Sequence, residues 1–219
     1  VYREEYSRFI DNNEESNILI QIEISEFLKK MKPCKYDVSK VLLEKSKINT
    51  HIVPFLYIDN LMAPSYNRLR TKTGRLVVSG GPNVLTMNAE FRKGIVDGYN
   101  IDFISMEPNF LLAIQDIEPK DNLYETIIKD VFNGKLSRVK AKIAVMSALY
   151  GSNRNDKNSK LISEYFNIDS VIKDLELQID GDSIKNVYGR KIELQGARGR
   201  HMLSLWLQSS ASEAALLGF

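Results

Sequence analysis

Apolar positions fall at helical spacing near both ends of this chain and in its middle, with strand-like runs between them. The run Ile18 to Leu28 has helical periodicity, yet Ile18, Ile20, Ile22 and Ile24 also alternate with period two, so helix and strand both stay open there. A break at Lys30 to Pro33 precedes a second helical stretch, Val38 to Lys45. From Ile52 to Val78 the pattern turns β-rich, with Ile52–Ile58 and Arg70–Val78 flanking a polar turn region. Gly80-Gly-Pro-Asn83 reads as a loop. Ile95 to Met106, interrupted at Asp97-Gly98, reads as a strand entering a core with Asp102 near its end. A carboxylate there is costly unless it meets a cation; a capping or turn aspartate is the plainer alternative. Further on, Asp121–Phe132 reads as a helix stopped by Asn133-Gly134, and Ser137 caps another that ends at Tyr150-Gly151. Asn153–Lys160 reads as a polar linker and Leu161–Phe166 as a helix. Asp180-Gly-Asp182 reads as a turn before a returning strand, Ile184–Leu194, and Arg198–Phe219 as a long closing helix.

With 219 residues and 43% hydrophobic content, the chain can bury one sizeable core or two small ones. Charged residues make up 26% and nearly balance at +2, so any nucleic-acid face must come from local clustering. The single Cys34 excludes an internal disulfide, and with His51 and His201 alone no zinc cluster is expected. Both that cysteine usage and the lack of a membrane-length apolar run point to a reducing cytoplasm and no membrane. Val1 and the apolar last residues through Phe219 read as cut ends.

Within Ser137–Asn153 one stripe stands out: Arg138, Lys142, Met146 and Tyr150. Four-residue steps advance about 40° each on an α-helix, so these side chains share one face about 18 Å long. Two cations head it and a phenol closes it. Such a face suits a triphosphate at the Arg/Lys end and a base and sugar at the Met/Tyr end. An amphipathic helix with solvated cations is the bland alternative.

The neighbours of that helix form an ordered series: Thr71-Lys-Thr-Gly-Arg75-Leu, Gly81-Pro-Asn83, Asp102-Phe-Ile-Ser-Met-Glu107, the stripe, Gly189-Arg190, then Arg200 through Gln208. The order resembles the DNA polymerase I family (family A) over about residues 40 to 219, with its TGRL…PN, DYSQIE, R-x3-K-x3-[FY]-x3-YG and R-x3-N-x3-Q motifs. That resemblance implies an α+β right-hand polymerase fragment, an antiparallel palm sheet with inserted helical fingers and part of a helical thumb. Residues 1–51 would be thumb, 52–118 the first part of the palm, 119–175 fingers and 176–219 the returning palm.

By the same resemblance the activity is template-directed DNA synthesis, with deoxynucleoside triphosphates and a DNA primer-template as partners. Two Mg²⁺ ions would stabilise attacking and leaving oxygens. Asp102 aligns with one of the two metal-binding carboxylates, and the Phe103 carbonyl would add a hard oxygen. A His-Asp-Glu segment carrying the other would come from further along the polypeptide or from a second chain. Arg138 and Lys142 align with triphosphate ligands, while Glu107 and Tyr150 would meet beneath the sugar and exclude ribonucleotides. Arg75, Asn83, Arg200, Ser204 and Gln208 match DNA-contacting positions. Departures include Met146 for an aromatic, Ser204 for Asn, and Ser209-Ser-Ala-Ser-Glu213 for Gly-Thr-Ala-Ala-Asp. Such divergence suggests a phage or mobile-element source. Two alternatives stay open: a single-subunit phage-type RNA polymerase, whose helix carries Met at the position of Met146, and a catalytically inactive homologue serving as a DNA-binding scaffold.

Overall fold

The computed structural model describes residues 14–30, 35–36, 65–68, 70–80, 83–88, 92–93, 95–96, 102–151 and 156–218. It divides into two compact units, one of residues 1–20 and 103–219 and the other of residues 21–102. The expected helix Val38–Lys45, the strand Ile52–Ile58, Cys34, His51, residues 153–155 of the expected linker and both chain ends lie outside the described residues.

Helix α1 spans Glu14–Lys30 and resolves the ambiguity in the first apolar run. A strand would place Ile18, Ile20, Ile22 and Ile24 on one face; instead Ile20 and Ile24 are buried while Ile18 and Ile22 are exposed. Burial every fourth residue is the helical outcome.

In the second unit the described strands pair two by two. β1 (Lys35–Tyr36) runs antiparallel to β4 (Ile95–Val96), and β2 (Ser65–Asn67) antiparallel to β3 (Val77–Gly80). The expected strand Arg70–Val78 is corrected: residues 70–76 form the loop between β2 and β3. Thr71 Oγ1 donates to the Arg75 carbonyl at 2.9 Å, and the Gly74 N–H donates to the Thr71 carbonyl at 3.2 Å. These local bonds satisfy the backbone without a ladder. Of the strand expected over Ile95–Met106, Ile95 and Val96 form β4 and a helix begins at Met106, while residues 97–101 lie outside the described residues.

The first unit is helical with one hairpin. Helix α2 (Met106–Ala113) carries Pro108 in its first turn, where a missing N–H leaves no helical bond unmade. Asn109 donates to the Ile104 and Lys120 carbonyls and accepts from the Lys120 N–H, which ties the helix start to the loop beyond its end. Helix α3 (Leu123–Asp130) buries Leu123, Tyr124 and Ile127. Helix α4 (Arg138–Tyr150) matches the sequence expectation at both ends. Helix α5 spans Lys157–Tyr165, so the expected linker stops at Asp156, whose carboxylate caps the Ser159 N–H at 3.0 Å. Helix α6 (Ile168–Glu176), absent from the sequence reading, buries Ile168, Val171, Ile172 and Leu175 at helical spacing.

The expected returning strand Ile184–Leu194 is two strands, β5 (Ser183–Lys185) and β6 (Lys191–Glu193), paired antiparallel. Asn186 breaks the run: its Oδ1 accepts from the backbone N–H groups of Tyr188 and Arg190, folding the chain back, with Gly189 at φ 74°. Helix α7 (Gly199–Gly218) packs against α2, α4 and α6. Its Met202, Leu203, Trp206 and Leu207 join Leu111, Leu112, Val145, Leu149, Ile162, Phe166, Ile184 and Ile192 in one apolar core.

A polar network fastens the hairpin to α7. Glu213, fully buried, accepts from Arg190 Nε and from Asn186 Nδ2, and Asn186 also donates to Ser209 Oγ at 3.0 Å. Trp206 Nε1 donates to the Lys185 carbonyl at 3.0 Å. Burial first, and then the Glu213 carboxylate, push the Tyr188 phenol above its ordinary value, so it stays neutral.

Asp182, beside the hairpin, is exposed but well bonded. The Gly196 N–H donates to it at 3.1 Å and Arg198 Nη1 at 3.2 Å. The Gly196 bond is the main cause holding its carboxyl below the usual value. A depressed carboxyl stabilises the fold above its unfolded-state pKa, and that contribution fades as pH falls through the folded value. Asp182→Asn should therefore lower thermal stability at neutral pH and flatten its acid limb below about pH 4. Thermal melts of both proteins from pH 7 to pH 3 check this, and parallel curves would contradict it. Among the described residues, no helix is long and apolar enough to cross a membrane.

Candidate functional site

Helix α4 starts where Ser137 accepts from the Lys140 N–H at 3.4 Å. Its inner face is small and apolar: Ala141, Ala144 and Ala148 with Val145 and Leu149, all buried. The small residues let α4 lie close to its neighbours α5, α3 and α7. Its outer face carries Arg138, Lys142, Met146 and Tyr150, which with Val139, Ile143 and Ser147 line an open hollow of about 640 Å³. The structure thus brings the four stripe residues to one surface.

The charge on that surface runs against the helix dipole. Acidic side chains favour a first helical turn, yet α4 has none there, and Arg138, Lys140 and Lys142 crowd its positive end. Cations so placed cost a few tenths of a kcal/mol each, to about 1 kcal/mol, when no anion is near. Free N-terminal amides and fixed cations together make a seat for a polyanion. Lys142 is exposed and has no ion-pair partner among the described residues. Arg138 is held from α3: Nε donates to Glu125 Oε1 at 2.8 Å, and its Cζ sits 5.3 Å from the Tyr124 ring centroid.

At the other end of the stripe, Tyr150 Oη donates to Glu107 Oε1 at 3.2 Å. Glu107 lies in the first turn of α2, so two motifs 43 residues apart meet through one hydrogen bond. Gly151 then stops α4 at φ 74°, a conformation glycine adopts without strain. A Cβ on Gly151 would also stand 3.3 Å from the Arg200 Cβ, so the close approach of α7 needs glycine as well.

Arg200 turns inward. Nη1 donates to the Ala148 carbonyl at 3.0 Å, Nη2 to Ser163 Oγ at 2.8 Å, and the Asp169 carboxylate lies 3.7 Å away. One guanidinium thus joins α7 to α4, α5 and α6. Ser204 is buried and accepts from the half-buried Gln208 at 3.0 Å. Phe103 lies against the end of α7, its ring 2.9 Å from where a Cβ on Gly218 would stand.

The second unit holds Asp102, Arg75 and Asn83. Asp102 is exposed, so it bears no burial cost; the run that leads to it, 97–101, lies outside the described residues. Arg75 is exposed in the β2–β3 loop; Asn83 is half-buried, and its Oδ1 accepts no hydrogen bond among the described residues. Among the described residues no three His, Cys, Asp or Glu side chains gather to hold a metal. The Asp102 carboxylate therefore fits Mg²⁺ in part: it is one hard oxygen donor of the kind the ion takes, and other ligands must complete the shell.

Tyr124 and Glu125 have no counterpart in the sequence reading. They sit on a different helix, 14 and 13 residues before Arg138, and no local spacing couples them to it. Compared with protein families, curated proteins and solved structures, the chain gives no match.

Proposed function

We propose that this chain supplies the palm and fingers of a template-directed DNA polymerase of the DNA polymerase I type, with α4 holding an incoming deoxynucleoside triphosphate. The observation that carries the reading is the Tyr150–Glu107 hydrogen bond, which joins the two motif residues expected to meet beneath the sugar. The cation-headed hollow along α4 supports it independently.

In this reading Lys142 and Arg138 bind phosphate oxygens, Lys142 as a compact charge and Arg138 through its planar fork. Met146 and Tyr150 pack on sugar and base. Glu107, fixed by Tyr150, fills the space a 2′-hydroxyl would need. Arg75, Asn83 and Gln208 face primer-template DNA. Asp102 would give a carboxylate to Mg²⁺, which when bound supplies charge stabilisation to the oxygens of the transferring phosphate. A second carboxylate comes from a His-Asp-Glu segment, in cis or on a partner chain.

The test is nucleotide selectivity. The chain should bind dATP more tightly than ATP in Mg²⁺ buffer with primer-template present, and Glu107→Ala should narrow that preference by about 10- to 100-fold. Titration calorimetry measures both. Absence of nucleotide binding would defeat the proposal. A native preference for ATP would transfer it to RNA synthesis, the reading that Met146 favours.

A further inference from the structure

We infer that Glu125 is an internal counter-anion for the triphosphate seat: it holds Arg138 when the seat is empty and competes with phosphate for it. The inference deepens the proposed function and rests on it. Arg138 heads α4 with the helix dipole against it, and Glu125 on α3 supplies the negative charge that the first turn of α4 lacks. The bond uses Nε at 2.8 Å, and the guanidinium Cζ sits 5.3 Å from the centroid of the almost fully buried Tyr124 ring. Neither Nη group takes a partner among the described residues, and Arg138 lines the hollow. A phosphate in the hollow therefore meets a guanidinium already oriented but partly neutralised.

The pair is easily broken, since both side chains are more than a third exposed, at 62% and 50%. An arriving triphosphate can draw Arg138 off Glu125. After bond formation, Glu125 regains Arg138 and hastens the departure of pyrophosphate. The carboxylate thus raises the dissociation constant of every polyphosphate by the factor with which it occupies Arg138. For an exposed pair that factor is about two- to fivefold.

The test is a double-mutant cycle read by calorimetry with inorganic tripolyphosphate and with pyrophosphate at low salt. Both sites are exposed surface positions, and melts of each variant check folding. Glu125→Gln is expected to tighten both ligands about two- to fivefold in the native background and to change nothing when Arg138→Ala is already present. Unchanged or weaker binding by Glu125→Gln overturns the inference, the weaker result making Glu125 a positioning residue instead. Equal tightening in both backgrounds also overturns it, because general repulsion then explains the gain without competition for Arg138. Should Arg138→Ala leave binding untouched, the triphosphate reading of α4 fails and takes the inference with it.

Discussion

Lys142→Ala is expected to slow single-nucleotide incorporation by about 30- to 1,000-fold in the assembly that extends primers, while duplex affinity stays nearly constant. Lys142 lies in the middle of the α4 hollow, one turn from Arg138 and one turn from Met146, exposed and without an ion-pair partner among the described residues. A compact cation beside a transferring phosphate stabilises charge that develops during bond exchange, and losing one such contact costs about 2–4 kcal/mol. Arginine at this position should not restore the rate fully, because a planar fork and a point charge place their donors differently. Single-turnover kinetics separates the chemical step from binding. A near-normal rate for Lys142→Ala would remove α4 from the chemistry.

The second large effect concerns stability. Arg190→Met should cost about 3–5 kcal/mol, because it removes the guanidinium that donates to the fully buried Glu213 carboxylate. That is a large share of a typical domain's stability. Arg190→Met combined with Glu213→Gln should recover much of the loss, since an amide oxygen can still accept from Asn186. Urea unfolding of the two single variants and the double variant measures the cycle. Equal instability of Arg190→Met and the double variant would show that packing of the arginine stem, not the buried charge, is what the hairpin needs.

Helix α4 was legible because its signals are local: a serine cap, a Tyr-Gly stop and side chains four apart. The meeting of Glu107 with Tyr150 was legible only through the order of motifs, since nothing in either segment points to the other. Helix α6 carries as clear a period, but only Phe166 and Asn167 separate it from α5, so the sequence reading stops the helix at Phe166 and passes straight to the hairpin. The Ile184–Leu194 run misleads for the opposite reason. Its apolar content is strand-like at both ends, and the fold-back depends on one asparagine accepting two backbone bonds. Arg200 shows what motif spacing leaves out: its position on α7 matches a DNA contact, while its guanidinium meets three other helices. Glu125 was invisible because its partner is on another element.

The distribution of paired and unpaired cations in the first unit has a kinetic consequence. Arg190, Arg198 and Arg200 each face a carboxylate, so their fields are largely cancelled a short distance from the surface. Lys140 and Lys142 at the head of α4, with the amide ends of the helix behind them, are left as a concentrated source of positive potential. In the proposed reading, a polyanion diffusing past would be captured at that end of the hollow before it reaches the Met146–Tyr150 end, phosphate first and base second. The bias reaches roughly one Debye length, about 8 Å at physiological ionic strength, so salt slows capture without altering the fit of the ligand once seated.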